Sequence, residues 1–352
     1  MFIGGSVLAA GVLMSDARLV FRWDLDKTYL QSEFETLREM MRIPFEKAED
    51  KKAAPGVAAL MRGVRESALS RGRSLRVYFI SASPPQIGRA IRRKLELDGI
   101  VHDGMVFKNQ LQRLMRGKFR HLREHIGYKL TELLKARQTE PPTAREYLFG
   151  DDWESDPLIY SLYADVVARR VDGAELEALL RAMRVDAPLI AQACTLAAAI
   201  EPADAVKRIF INLERRTPPL HLRAYGARLV PAFNYLQTAA CLYDDDVLSA
   251  AGVIQVARSL IEESDYSPER LANSLADIER RGHLRASAAR LLRDALIAAN
   301  VLPAPPRPRA PERWRQWWVR RRREPAMVAA PLPMIDYRTL VGMELPAEAT
   351  SE

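Results

Sequence analysis

A chain of 352 residues, 48% hydrophobic and 28% charged, holds enough apolar sequence for a sizeable core in one large domain or two smaller ones. The formal net charge of +8 points toward an anionic partner or substrate, although much of the excess sits in one late run of arginines. Only two cysteines occur, Cys194 and Cys241, both in apolar helical-looking sequence, which argues against a disulfide and fits a reducing, cytoplasmic setting.

Residues 1–15, MFIGGSVLAAGVLMS, are apolar but too short to span a bilayer, and they lack the basic residues that open a secretory signal. They read as an N-terminal extension, with Met14 a sensible alternative start. Residues 17–23 supply Leu19, Val20, Phe21 and Trp23, a strand pattern, and run into Asp24-Leu25-Asp26-Lys27-Thr28. Residues two apart in a strand point the same way, so Asp24 and Asp26 are driven toward one spot. Carboxylates gathered there repel unless something positive joins them.

Helices are expected at residues 32–41 and 57–68, the second opened by Pro55-Gly56. A second strand, LRVYFI at 75–80, runs into SASPP; a helix follows at 86–97, and the turn-rich stretch 99–107 ends in a short strand. A basic helix at 120–137 precedes a third strand at 145–149, REYLF, which runs into GDDWESDP. Strands separated by helices predict a parallel α/β sheet. Polar residues at the strand ends lie where such sheets bind ligands. Residues 158–200 are Ala/Leu-rich and helical with a break at Pro188, residues 206–213 (VKRIFINL) read as another strand, and 229–299 reads as helical again. Residues 302–311 form a Pro-rich linker ahead of a basic, tryptophan-rich tail.

Taken together, the three strand ends hold Asp24 and Asp26, Ser81 and Ser83, and Asp151, Asp152 and Asp156. Lys129, on the helix before the third strand, is placed to reach the same end, in competition with Lys118 and Lys135. Oxygen-only donors favour a hard divalent cation such as Mg²⁺. A metal with a lysine and a serine hydroxyl cradles a phosphoryl group, and a carboxylate can attack its phosphorus. Each piece alone is weak: D-x-D-x-T also serves as a turn or cap, and GDDWESD as a solvated acidic loop. Their order along the chain points to phosphoryl transfer.

That set, D-L-D-K-T, an apolar strand ending in serine, a lysine and G-D-x-x-x-x-D, resembles the four motifs of the haloacid dehalogenase superfamily. Within it, APGVAAL at 54–60, YFISASP at 78–84, GDDWESDPLIY at 150–160 and KRIFINL at 207–213 resemble the phosphatidate phosphatase catalytic domain of the fungal actin-patch type, distantly similar to lipins. The resemblance implies a Rossmannoid parallel sheet flanked by helices and a Mg²⁺-dependent phosphomonoester hydrolase working through an aspartyl-phosphate. It implies Asp24 as nucleophile and Asp26 as general acid and base, with Ser81, the backbone around Ala82, and Lys129 on the phosphoryl oxygens. It further implies Mg²⁺ among Asp24, Asp26, Asp151 and Asp156. Asp152 stands where the family has a small residue, and Lys27 where it more often has Gly or Asp.

The resulting organisation is an extension at 1–15, a phosphatase domain at 16–215 with a helical insert near 165–205, an all-α region at 216–300, and a linker and basic tail at 301–352. Asp244-Asp245-Asp246 reads as a helix-start cap and solvated loop. The stretch 312–324, ERWRQWWVRRRRE, reads first as a helix docked on the protein's own surface, then as a membrane contact, and last as a nucleic-acid site, and no nucleic-acid partner is expected. Phosphatidate or a related lipid is the first expected substrate. A soluble phosphomonoester such as a nucleotide or sugar phosphate is the alternative, and a helical interaction protein with a vestigial phosphatase domain is a third reading.

Overall fold

Strands and helices alternate through the first half of the chain because apolar runs of strand length are spaced by amphipathic stretches. The computed structural model describes residues 18–25, 28–29, 53–81, 88–107, 118–153, 155–304 and 334–344. Asp26, Lys27, Ala82, Ser83, the helix expected at 32–41 and the 312–324 stretch lie outside the described residues. In chain order the elements are β1 (Leu19–Asp24), α1 (Val57–Ser70), β2 (Leu75–Ser81), α2 (Gly88–Leu97), β3 (Gly104–Phe107), α3 (Lys118–Gln138), β4 (Arg145–Asp151) and α4 (Asp156–Val167). They continue as α5 (Gly173–Ala182), α6 (Ala187–Ala199), β5 (Val206–Asn212), a 3-10 turn (Pro219–Tyr225), β6 (Leu229–Ala232), α7 (Tyr235–Asp244), α8 (Ala250–Glu263), α9 (Pro268–Arg280), α10 (Ala286–Ala298) and α11 (Tyr337–Glu344).

The six strands form one sheet in the order β3-β2-β1-β4-β5-β6, and every pairing is parallel. The order reverses between β1 and β4, the switch point at which doubly wound sheets open a crevice beyond their strand ends. Alternate residues feed two hydrophobic layers, as the period of a strand buried on both faces requires. Phe21, Trp23, Phe79 and Phe149 join a cluster with Leu60 of α1, Leu236 of α7, Leu260 of α8, Leu275 of α9 and Leu292 of α10. Ile80, Leu148 and Ile209 face Leu130 of α3, Leu158 of α4 and Leu180 of α5. On the first face Trp23 stacks on Phe149 with ring centroids 3.8 Å apart, and Phe149 on Phe210 at 5.2 Å, which locks β1, β4 and β5 together. Among the described residues, no helix is long and apolar enough to cross a membrane.

Three local expectations change. Residues 229–232 form an edge strand, not the start of a helical run; four buried apolar residues pair with β5, and an edge tolerates Pro231, which has no N–H to donate. Asp244 ends α7 instead of starting a helix. Its carboxylate accepts from the backbone N–H and Nε of Arg285 at 3.1 and 2.7 Å, while Asp245 takes two 2.7 Å bonds from Arg208. Acids at a helix C-terminus oppose its dipole, and these arginines offset that. Part of the expected tail is also packed: α11 buries Leu340 and Val341 in the layer that contains α4 and α5, and the Tyr337 hydroxyl donates to Asp165 at 2.6 Å.

His283 lies in the arginine-rich seam between α7 and β5. Burial pushes its imidazole down to about 4, and Arg281 and Arg208 act in the same direction. The folded state therefore holds His283 neutral, while the unfolded chain takes up its proton near pH 6.5. This contribution to stability is complete above about pH 6.5 and is lost as pH falls toward 4, at up to about 1.4 kcal/mol per pH unit. Urea unfolding of wild type and His283→Gln between pH 7 and 4.5 is expected to show a steeper acid loss in wild type. Parallel curves would remove His283 as the cause.

Candidate active site

β1 ends at the switch point, and its register with β4, Trp23 opposite Phe149, brings the two strand ends level. Asp24 closes β1 and Asp151 closes β4, while Ser81 closes β2 one residue beyond Ile80, the partner of Asp24. All three are buried. The layer facing this end contributes Lys129 from α3 and Asp156 from α4, both also buried. Lys129 Nζ donates to Asp24 Oδ1 at 2.8 Å and to Asp156 Oδ1. Asp156 Oδ2 accepts the backbone N–H of Asp151 at 3.4 Å, and Asp151 Oδ1 accepts the N–H of Trp153 at 2.6 Å. Oxygens of Asp24, Asp151 and Asp156 lie within 4.8 Å of one another.

Sequence-local reasons put each group there. Ile126, Leu130, Leu133 and Leu134 bury one stripe of α3 and carry Lys129 inward with them, with its Nζ 5.2 Å from the Tyr160 ring centroid. Lys135, its competitor in the sequence, pairs instead with Glu132 at 2.7 Å on the surface side. Asp156 lies in the first turn of α4, where the helix dipole favours an acid and Pro157 suits the geometry. Gly150 allows the approach: a Cβ built there would overlap Asp156 Oδ2 and lie 2.7 Å from Asp156 Cβ. Burial pushes the Asp156 carboxyl up, against the opposing pull of Lys129.

The three buried carboxylates converge on one small region, and a donor set made only of oxygens fits a hard divalent cation. The structure thus unites Asp24, Lys129, Asp151 and Asp156, with Ser81 at the neighbouring strand end; Asp26 and Ala82 lie outside the described residues. Three contributors take their role only from the structure. Gly150, the first residue of the G-D-x-x-x-x-D set, is one. Asp152 is another: its oxygens accept the N–H groups of Arg215 and Thr217 at 2.8 and 3.0 Å, which ties the chain leaving β5 to the end of β4. Tyr235 of α7 is the third, donating to the Thr28 carbonyl at 2.5 Å, two residues beyond the D-x-D motif in sequence.

Residues 23–175 match the family model described as "Phosphatidate phosphatase APP1, catalytic domain", and by class the protein is a phosphoric monoester hydrolase. The matched segment runs from the end of β1 into α5 and takes in Asp24, Ser81, Lys129, Asp151 and Asp156. The strands β5 and β6 and helices α6 to α11 lie beyond the matched span. No curated protein matches the chain.

Proposed function

We propose that the protein hydrolyses a phosphate monoester in two steps on Asp24, with Mg²⁺ bound, and that its substrate is phosphatidate or a related lipid phosphate. The observation that carries this reading is the Lys129 ammonium held between Asp24 and Asp156, with Asp151 within 4.8 Å, at the switch point of a parallel sheet. An Asp24 oxygen attacks phosphorus, the bond to the leaving oxygen breaks, and an aspartyl-phosphate forms. Asp26 gives its proton to the leaving oxygen, then takes one from the water that opens the aspartyl-phosphate, the double duty of a general acid and base. The Ser81 hydroxyl and backbone N–H groups around Ala82 donate to the phosphoryl oxygens, and Lys129 balances their charge and orients Asp24. Asp24, Asp151 and the Asp26 carbonyl would hold Mg²⁺. Asp156, with one oxygen on Lys129 and the other on the Asp151 N–H, supports them from behind. When bound, Mg²⁺ supplies charge neutralisation at the phosphoryl oxygens.

The family description favours a lipid phosphate. The rim of the site agrees with it: Trp153 is exposed beside Asp151, with the Arg215 guanidinium 5.1 Å from its ring centroid, a pairing suited to a headgroup region. We place the protein in the cytoplasm, with peripheral membrane contact through residues 312–324 as the companion of a lipid substrate. The intact, buried acidic set argues against a vestigial domain, because such carboxylates are costly without a cation.

The test is hydrolysis of an aryl phosphate with and without Mg²⁺. Wild type is expected to turn over only with the metal, and Asp24→Asn to lose about 10⁴-fold or more. Metal-independent turnover, or an active Asp24→Asn, would falsify the mechanism. Phosphatidate in mixed micelles against a panel of soluble phosphates then decides the substrate, and preference for the soluble panel would retire the lipid reading.

A further inference from the structure

Beneath the site, on the same face of the sheet, lies a buried polar cluster that the mechanism does not use. Glu146, near the start of β4, is fully buried and takes four hydrogen bonds. Arg22 Nε and Nη2 donate to it at 2.9 and 3.2 Å, Arg137 Nη1 at 3.1 Å, and the Tyr163 hydroxyl at 2.7 Å. Burial alone would raise this carboxyl, but Arg22, then Arg137, and the Tyr163 hydrogen bond hold it below the usual carboxylate range.

Each partner shares its element with a residue of the candidate site. Arg22 is two residues before Asp24 on β1 and points to the same face, and Tyr163 lies two turns beyond Asp156 on α4. Arg137 lies about two turns beyond Lys129 on α3, and Glu146 shares β4 with Asp151. We propose that Glu146 is a positioning residue: its carboxylate fixes β1, α3 and α4 against β4, and so sets the distances among Asp24, Lys129, Asp156 and Asp151. This rests on the phosphatase reading above.

Stability alone is a poor account of the cluster. Buried ion groups of this kind at best break even against well-packed apolar residues, because desolvation offsets their attraction. Here two guanidiniums share one carboxylate, and Arg22 Nη1 has no hydrogen-bond partner among the described residues. What apolar packing cannot supply is direction. Leu130, Leu133 and Leu158 can slide over Leu148 at little cost, whereas hydrogen bonds from three elements onto two oxygens admit one arrangement. Displacements well under 1 Å matter for a nucleophile and its partner cation.

The test uses the full chain, an aryl phosphate and Mg²⁺, at a temperature where every variant is folded by circular dichroism. Tyr163→Phe removes one hydroxyl and leaves both ion pairs, so it folds even where Glu146→Gln does not. It is expected to lower kcat roughly tenfold to a hundredfold with KM little changed, and to weaken Mg²⁺ binding measured by calorimetry. Leu275→Ala, a cavity in the opposite layer, should lower the melting temperature more and leave kcat intact. Wild-type kcat and Mg²⁺ affinity in Tyr163→Phe would overturn the positioning role while leaving the phosphatase reading in place. A wild type that neither turns over nor binds Mg²⁺ overturns that reading, and the positioning role falls with it.

Discussion

Lys129→Met is expected to abolish turnover and to destabilise the metal-free protein by about 3–5 kcal/mol, the usual consequence of removing one partner of a buried charge cluster. The ammonium touches Asp24 and Asp156 together, and none of the three side chains has meaningful access to water. Methionine fills most of the volume, so the loss is electrostatic and not a cavity effect. Two carboxylates then face one another in a dry site that has lost the ammonium bridging them. Urea unfolding with and without Mg²⁺ separates the contributions. The metal should stabilise the variant more than wild type, because it offsets carboxylate repulsion that the ammonium no longer relieves, while activity should not return because no donor replaces Nζ. Lys129→Arg is not expected to rescue either property, since a planar guanidinium does not fit where a compact ammonium bridges two oxygens. Wild-type stability in Lys129→Met without metal would mean that the carboxylates are not held as the structure places them.

This constellation was legible in the sequence because its members sit at boundaries that short-range patterns define. Asp24, Ser81 and Asp151 end apolar strand runs, and Asp156 precedes a proline at a helix start, so chain order alone implied convergence. Lys129 was one of three lysines on a basic helix, and only the buried stripe of α3 separates it from Lys135. Groups whose meaning depends on distant partners stayed hidden. Glu146 lies 124 residues from Arg22, and nothing in REYLF distinguishes it from a solvated residue at a strand start. Asp152 meets the N–H groups of Arg215 and Thr217 more than 60 residues away. β6 was obscured differently: four residues with a proline carry too short a period to stand out, and pairing with β5 decides their conformation.

Gly150→Ala brings the second large loss, about 2–4 kcal/mol of stability and roughly a hundredfold in turnover. The added methyl would overlap the Asp156 carboxylate and lie 2.7 Å from its Cβ. Neither side can yield cheaply. Gly150 pairs with Ile211 within the sheet and β1 lies on the other side, while Asp156 is anchored by Lys129 and by the Asp151 N–H. Relief comes only by swinging Asp156 out, which releases Lys129 from one of its two carboxylates and disturbs Asp24 through it. A double-mutant cycle assigns the cause. If the clash is with Asp156, the stability penalty of Gly150→Ala should largely vanish in an Asp156→Gly background, where both Cβ and carboxylate are gone. Activity should stay low in the double variant, because the support for Lys129 is missing. An undiminished penalty in that background would put the strain in the β4 backbone, and Gly150 would then serve the strand and not the approach of Asp156.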